Sequence, residues 1–207
     1  MLPLDAKSTE LETITTLEEK LRDGDKSALD QLFSLHRERL KKIVIFRLGH
    51  QLHGRLDPED VIQEAYMAAL KRIDHFGKDF SGSGFVWLRL IAQQTLIDLQ
   101  RFHLGAKKRD AGKEIIFHRP STSKTMTLHL FGQVSSPSRA VMQIDMMDRV
   151  EQAIAEMDHT DQEILAMRHF EELTNKETAE SLGIAQKAAS IRYFRALKRL
   201  KDILGQY

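Results

Sequence analysis

Between Gln186 and Lys201 the chain carries Lys187, Arg192, Arg195, Lys198, Arg199 and Lys201 and no acid. Such a run suits a polyanion, because each phosphate it neutralises releases condensed counterions. Three to five such contacts would give a salt slope of about −3 to −4.5. Between Leu56 and Glu64 the balance reverses: Asp57, Glu59, Asp60 and Glu64 occur with no base among them. An acidic stretch does not bind DNA and suits a basic protein surface. The net charge of +1 averages the two and identifies neither. Catalytic chemistry finds little material. His50 and His53 are three apart and could share a metal, but no third ligand accompanies them, and surface positions near a turn account for them. No Gly-rich phosphate loop follows a strand pattern and no nucleophile motif occurs, so no catalysis, cofactor or metal is expected.

Composition sets the bounds. With 42% hydrophobic and 29% charged residues, the 207-residue chain reads as a soluble globular protein of one large or two small domains. Only four prolines and eleven glycines interrupt it, which favours helices. The absence of cysteine excludes disulfides and thiolate metal sites and fits a reducing cytosol. The N-terminal stretch lacks a signal peptide's apolar core, and no run of eighteen apolar residues is long enough to span a bilayer.

These residues need elements to position them. Asp57-Pro58-Glu59-Asp60 is a helix start: a capping acid, a proline at the first helical position and further acid in the first turn. Ile62, Ala65, Tyr66, Ala69, Leu70 and Ile73 then form one apolar stripe, opposite Asp60, Gln63, Glu64, Met67 and Lys71. A helix over about 84–102 repeats the pattern with Leu88, Ile91, Ala92, Leu96 and Leu99. Residues 111–137 show no sustained helical period and read as a linker. Beyond it a helix is expected over 148–157 and another over 160–170, with a capping-box spacing from Thr160 to Glu163. Two more helices then flank a turn at Gly183, with small Ala179 where they would cross. In the last helix Ala189, Tyr193, Ala196, Leu197, Leu200 and Leu204 form the buried stripe.

The order of these features is specific in combination. "LFSLHRERLKKIV", "RLDPEDVIQEAYMAALKRIDHF", "FVWLRLIAQQTLIDLQRFHLGAKKRD", a linker and "MDHTDQEILAMRHFEELTNKETAESLGIAQKAASIRYFRALKRL" together resemble the bacterial sigma-70 family. More narrowly, the chain is similar to the short extracytoplasmic-function (ECF) type, which keeps only the second and fourth sigma regions. The resemblance implies an all-α fold of two small helical domains joined by a flexible linker. An N-terminal extension would occupy 1–27, a region-2-like domain 28–110, the linker 111–137 and a region-4-like helix-turn-helix domain 138–207.

It also implies roles. Asp57, Asp60, Gln63, Glu64 and Met67 would dock on the clamp helices of the largest subunit of core RNA polymerase, with the polymerase flap a further contact. The loop from Gly77 to Gly84, with Phe76, Phe80, Ser81 and Phe85 around it, would capture an unstacked base of the −10 element of promoter DNA. Arg89, Gln93, Gln94 and Arg101 would contact its upstream part, and Lys107 and Lys108 its phosphates. Lys187, Ser190, Ile191, Arg192, Arg195 and Lys198 would face the −35 element in the major groove. The protein would act in the bacterial cytoplasm, without a membrane. An inhibitory anti-sigma partner is common in the family, although no residue here points to one. The chain departs from the family's pattern at Ala185, where a Ser or Thr cap is usual, and at Ala188, Ala189 and Ile191. A branched alkyl chain such as Ile191 can meet only a thymine methyl among base edges. The alternative is a stand-alone helix-turn-helix regulator, which would bind duplex DNA without polymerase.

Overall fold

The computed structural model of the chain describes residues 4–48, 56–111, 126–127 and 140–204. Among them every regular element is helical, apart from one isolated bridge between Phe76 and Phe80. The helices are α1 (Leu4–Arg22), α2 (Lys26–Leu48), α3 (Pro58–Lys71), α4 (Gly84–Ala111), α5 (Ala140–Ala155), α6 (His159–Leu165), α7 (Asn175–Leu182) and α8 (Gln186–Leu204). A 3₁₀ turn at Ile73–His75 follows α3, and a π turn at Ala166–Phe170 follows α6. The chain divides into two compact units, one of residues 1–44 and 56–111, the other of 45–55 and 112–207.

The first unit includes α1, which the sequence sets aside as an extension without a motif. Threonine is a modest helix former; Thr13, Thr15 and Thr16 satisfy their hydroxyls within the helix by donating to the carbonyls of Thr9, Leu11 and Glu12, four residues back. Leu17 and Leu21, also four apart, are buried. Glu18 accepts a hydrogen bond from the backbone N–H of Gly84 and so places a carboxylate at the N-terminus of α4, the favourable end of its dipole. Leu29, Leu32 and Leu40 of α2, Ile62 of α3 and Leu88 of α4 complete a core of fully buried side chains.

The second unit starts with the last residues of α2. Phe46 stacks on Phe170, ring centroids 5.0 Å apart, within a core of Met126, Val150, Ile154, Met157, Leu165, Ala166 and Ala196. Met126 comes from the stretch read as linker and is only 2% exposed. Arg47 is paired with Glu163 at 2.8 Å and with Glu171. Burial alone would lower the guanidinium's pKa, but the carboxylates of Glu171 and Glu163 outweigh it and raise the pKa above its ordinary value.

The start of α6 differs from the expected capping box. Its cap is Asp158, whose carboxylate accepts from the N–H of Asp161 at 3.0 Å, so the helix begins one residue earlier. Glu163 turns inward to Arg47. The capping box of this unit lies at Thr174 and Glu177 and starts α7.

Candidate functional site

The acidic face is built by the cap of α3. Asp57 accepts from the Glu59 N–H at 2.9 Å, and Pro58 supplies a first helical residue that needs no hydrogen-bond partner. With Val61, Ile62, Ala65 and Ala69 buried, the opposite side presents Asp60, Gln63, Glu64 and Met67 to solvent, together with Asp57 at the cap. Glu59 is not part of this free charge. It pairs with Lys41 and Arg37 of α2, and the hydrogen bond from Lys41 leads in holding its carboxyl below the usual range. Beside the acidic face an open cleft of about 320 Å³ is lined by Phe33, Ser34, Arg37, Glu59, Ile62, Gln63 and Tyr66. The Tyr66 hydroxyl donates to Asp30 at 2.5 Å, which raises the phenol's pKa.

The loop between the 3₁₀ turn and α4 is closed at its base by a backbone hydrogen bond. Gly77 donates its N–H to the carbonyl of Phe80 at 3.0 Å from a φ of 85°. Phe76 beneath it is fully buried, with its ring centroid 5.2 Å from that of Trp87 and the Arg22 guanidinium 5.4 Å from its own centroid. Phe80 is half-buried and Ser81 exposed, so both border the solvent side of the loop.

Phe76, expected beside the base-capturing loop, is therefore closed to DNA, and so are Phe85 and Arg89. Phe85 is 3% exposed, covered by the Arg39 guanidinium 3.7 Å from its ring centroid and by His36 at 5.1 Å. Arg89 is 2% exposed. The helical stripe that buries Leu88, Ile91 and Ala92 takes in both neighbours, because the first turns of α4 are covered on nearly all sides: Phe85, Val86, Trp87, Leu88 and Arg89 are all buried. Neither Phe85 nor Arg89 offers a surface to nucleic acid.

Further along α4, Gln93 is half-buried, while Gln94 is exposed and donates to Asp98 at 2.9 Å. Arg101 is exposed, 4.0 Å from the same carboxylate. Phe102 beside it is 72% exposed. Lys107 and Lys108 lie within the span of α4, but their side chains are outside the described residues, and so are His50 and His53.

The third surface is α8. α7 ends at Gly183 with φ 63° and ψ 33°, the left-handed conformation the turn requires. Ala179 is buried at the crossing, and Ala189 and Ala196 are fully buried beneath α8. Ala185 has no side-chain acceptor for the first N–H groups of α8; Asn175, whose side-chain amide donates to the carbonyl of Gln186 at 3.0 Å, ties the starts of α7 and α8 together instead. Lys187, Ile191, Arg192, Arg195 and Lys198 are exposed and Ser190 is half-buried. Arg199 is directed elsewhere, donating to the carbonyl of Glu156 at 3.3 Å. Phe194, omitted from the expected contact set, is exposed in the middle of this basic face. Its spacing of three from Ile191 and four from Lys198 is the signal that places it there.

Comparison with known proteins extends across both units. The model of the ECF sigma factor family matches residues 11–202. The chain is 24% identical over 196 residues to the RNA polymerase sigma-H factor of Pseudomonas aeruginosa, covering 91% of this chain and 92% of that one. It is 23% identical over 189 residues to the ECF RNA polymerase sigma factor SigW of Bacillus subtilis, covering 89% and 93%. Among solved structures it resembles CnrH, in complex with the cytosolic domain of CnrY, with a TM-score of 0.50 and 20% identity over 94% of this chain and 98% of that one. That likeness shows the fold. A family match that runs from the middle of α1 into the last turn of α8 makes this chain a member of the ECF sigma factors, and so a transcription initiation factor.

Proposed function

We propose that the first unit docks on core RNA polymerase through Asp57, Asp60, Gln63, Glu64 and Met67, and that each unit reads one promoter element. The observation carrying this reading is the separation of charge. The outward side of α3 is acidic with an exposed methionine, while the outward side of α8 is basic and has no acid before Asp202. Carboxylates at the polymer's surface would repel a phosphate backbone and attract a basic protein; the cations of α8 do the reverse.

In this reading α8 lies in the major groove of the −35 element. Phe80 and Ser81 border the pocket for an unstacked −10 base, and Gln93, Gln94 and Arg101 contact the strand beside it, with Lys107 and Lys108 adding phosphate contacts. Unstacking a base costs a few kcal/mol and is offset by stacking on aromatic rings. The protein performs no chemistry of its own and works in the cytoplasm. Among the described residues no helix is long and apolar enough to cross a membrane. An anti-sigma partner belongs to the reading, and the complex of CnrH, which shares the fold, with the cytosolic domain of CnrY supports a protein partner.

The test is transcription by bacterial core polymerase, with and without this chain, from a randomised promoter library. Two enriched elements at a fixed spacing are expected only when the chain is present. Charge reversal at Asp60 and Glu64 abolishes co-elution with core while leaving the helical circular dichroism unchanged. Sequence-specific duplex binding by the chain without core would instead favour the stand-alone regulator.

A further inference from the structure

The outward face of α8 is not uniformly polar. Ile191 is 43% and Phe194 68% exposed, and the two lie one helical turn apart. Lys187 lies four residues before Ile191, and Lys198 four residues after Phe194, so cations stand at both ends of the apolar pair. Opposite, Ala189 and Ala196 are fully buried, which directs the Ile191–Phe194 side straight out of the unit. The Tyr193 ring, 5.7 Å from that of Phe194 between centroids and itself hydrogen-bonded to His169 at 3.0 Å, backs the exposed phenyl group. The centre of a surface built for phosphate is therefore occupied by two groups that can neither donate nor accept a hydrogen bond.

We infer that Ile191 and Phe194 form a methyl-reading pair that commits the upstream promoter element to thymines at neighbouring positions. The inference rests on the assignment of α8 to the major groove. There, the only apolar group any base presents is the C5-methyl of thymine, and alkyl and phenyl side chains are known partners for it. A polar base edge facing either side chain would lose water without gaining a hydrogen bond, so other bases are disfavoured as well as thymine favoured. Three residues of helix advance about 4.5 Å, between one and two base steps of 3.4 Å, so the two side chains can serve adjacent or next-adjacent pairs. The flanking lysines supply affinity through phosphates, and the apolar pair supplies selection.

The experiment uses the full chain with core polymerase. The upstream element is first selected from a randomised duplex library, and each of its thymines is then replaced by deoxyuridine, which removes only the methyl group. Two neighbouring thymines are expected in the selected element, each losing about four-fold in affinity on replacement, the equivalent of about 0.8 kcal/mol for one buried methyl. In the Ile191→Ala, Phe194→Ala double variant the deoxyuridine effect vanishes while the salt slope stays unchanged. Both positions are exposed, so folding is not at risk. An enriched element without neighbouring thymines, or a flat deoxyuridine profile, overturns the inference and leaves the promoter-reading assignment standing. No upstream enrichment at all overturns both.

Discussion

Arg47 shows how far one side chain can matter away from any binding face. It is nearly buried between Glu163 and Glu171, and its removal takes the guanidinium away from two largely buried carboxylates. Breaking such a buried arrangement by deleting one partner costs about 3–5 kcal/mol. Arg47→Ala should therefore lower the denaturant midpoint of the second unit by that equivalent; a loss under about 1 kcal/mol would mean the carboxylates are solvated. Two glycines offer a matched comparison. Gly183 and Gly77 both have positive φ, but a Cβ at Gly183 meets nothing, whereas at Gly77 it would lie 2.8 Å from Cγ of Arg22. Gly183→Ala should cost about 1–2 kcal/mol, the left-handed backbone penalty alone. Gly77→Ala should cost measurably more in the same urea titration, because the clashing atom lies near the main chain of α1 and cannot swing clear.

At the scale of the element, α7 and α8 depend on their ends. Thr174 accepts from the Glu177 N–H at 3.2 Å, and Glu177 accepts from the Thr174 N–H at 2.7 Å. Thr174→Ala should remove about 1 kcal/mol of stability and weaken upstream-duplex binding only as far as α7 frays, a difference that hydrogen exchange across α7 would show. His169 joins the π turn to α8 through Tyr193, and burial, reinforced by the neighbouring Arg168, lowers its pKa. A histidine depressed in the folded state binds its proton more readily once unfolded. Its contribution is therefore present above the unfolded value of about 6.5 and lost as pH falls through the folded one. Melting followed from pH 7.5 down to 5 should show Tm declining below about 6.5, with a smaller decline in His169→Gln. An identical decline in the variant would assign the effect to other groups.

For the whole molecule, the charge separation is the property that experiments can read directly. Removing Arg192 and Arg195 together should lessen the steepness of log K against log salt by about 1.8, at about 0.9 per phosphate contact. The charge reversal at Asp60 and Glu64 should leave that slope alone. In the proposed assignment of one promoter element to each unit, neither unit needs high affinity, because binding of the first raises the effective concentration of the second.

Periodicity and capping chemistry were enough to read α3, the Gly183 turn, the inward side of α8 and the sign of each exposed face; on that inward side Ala189 and Ala196 are buried, Tyr193, Leu197 and Leu200 half-buried, and the side chain of Leu204 is outside the described residues. These readings depend on neighbours within one or two helical turns. The burial of Phe85 and Arg89 was not legible, because a helix projection places a residue on a face but cannot show that other helices also cover the flanks. Nor was the place of α1 legible: its threonines look unpromising until their hydroxyls are seen bonded to carbonyls four residues back, and the Glu18 contact to Gly84 spans 66 residues. The partners of Arg47 lie 116 and 124 residues away in sequence. Apart from α1, local pattern determined the helices and what charge they carry, since propensity and amphipathic spacing act at short range. Only the tertiary structure decided which charged and aromatic groups are left for a partner, since burial is set by contacts between segments far apart in the chain.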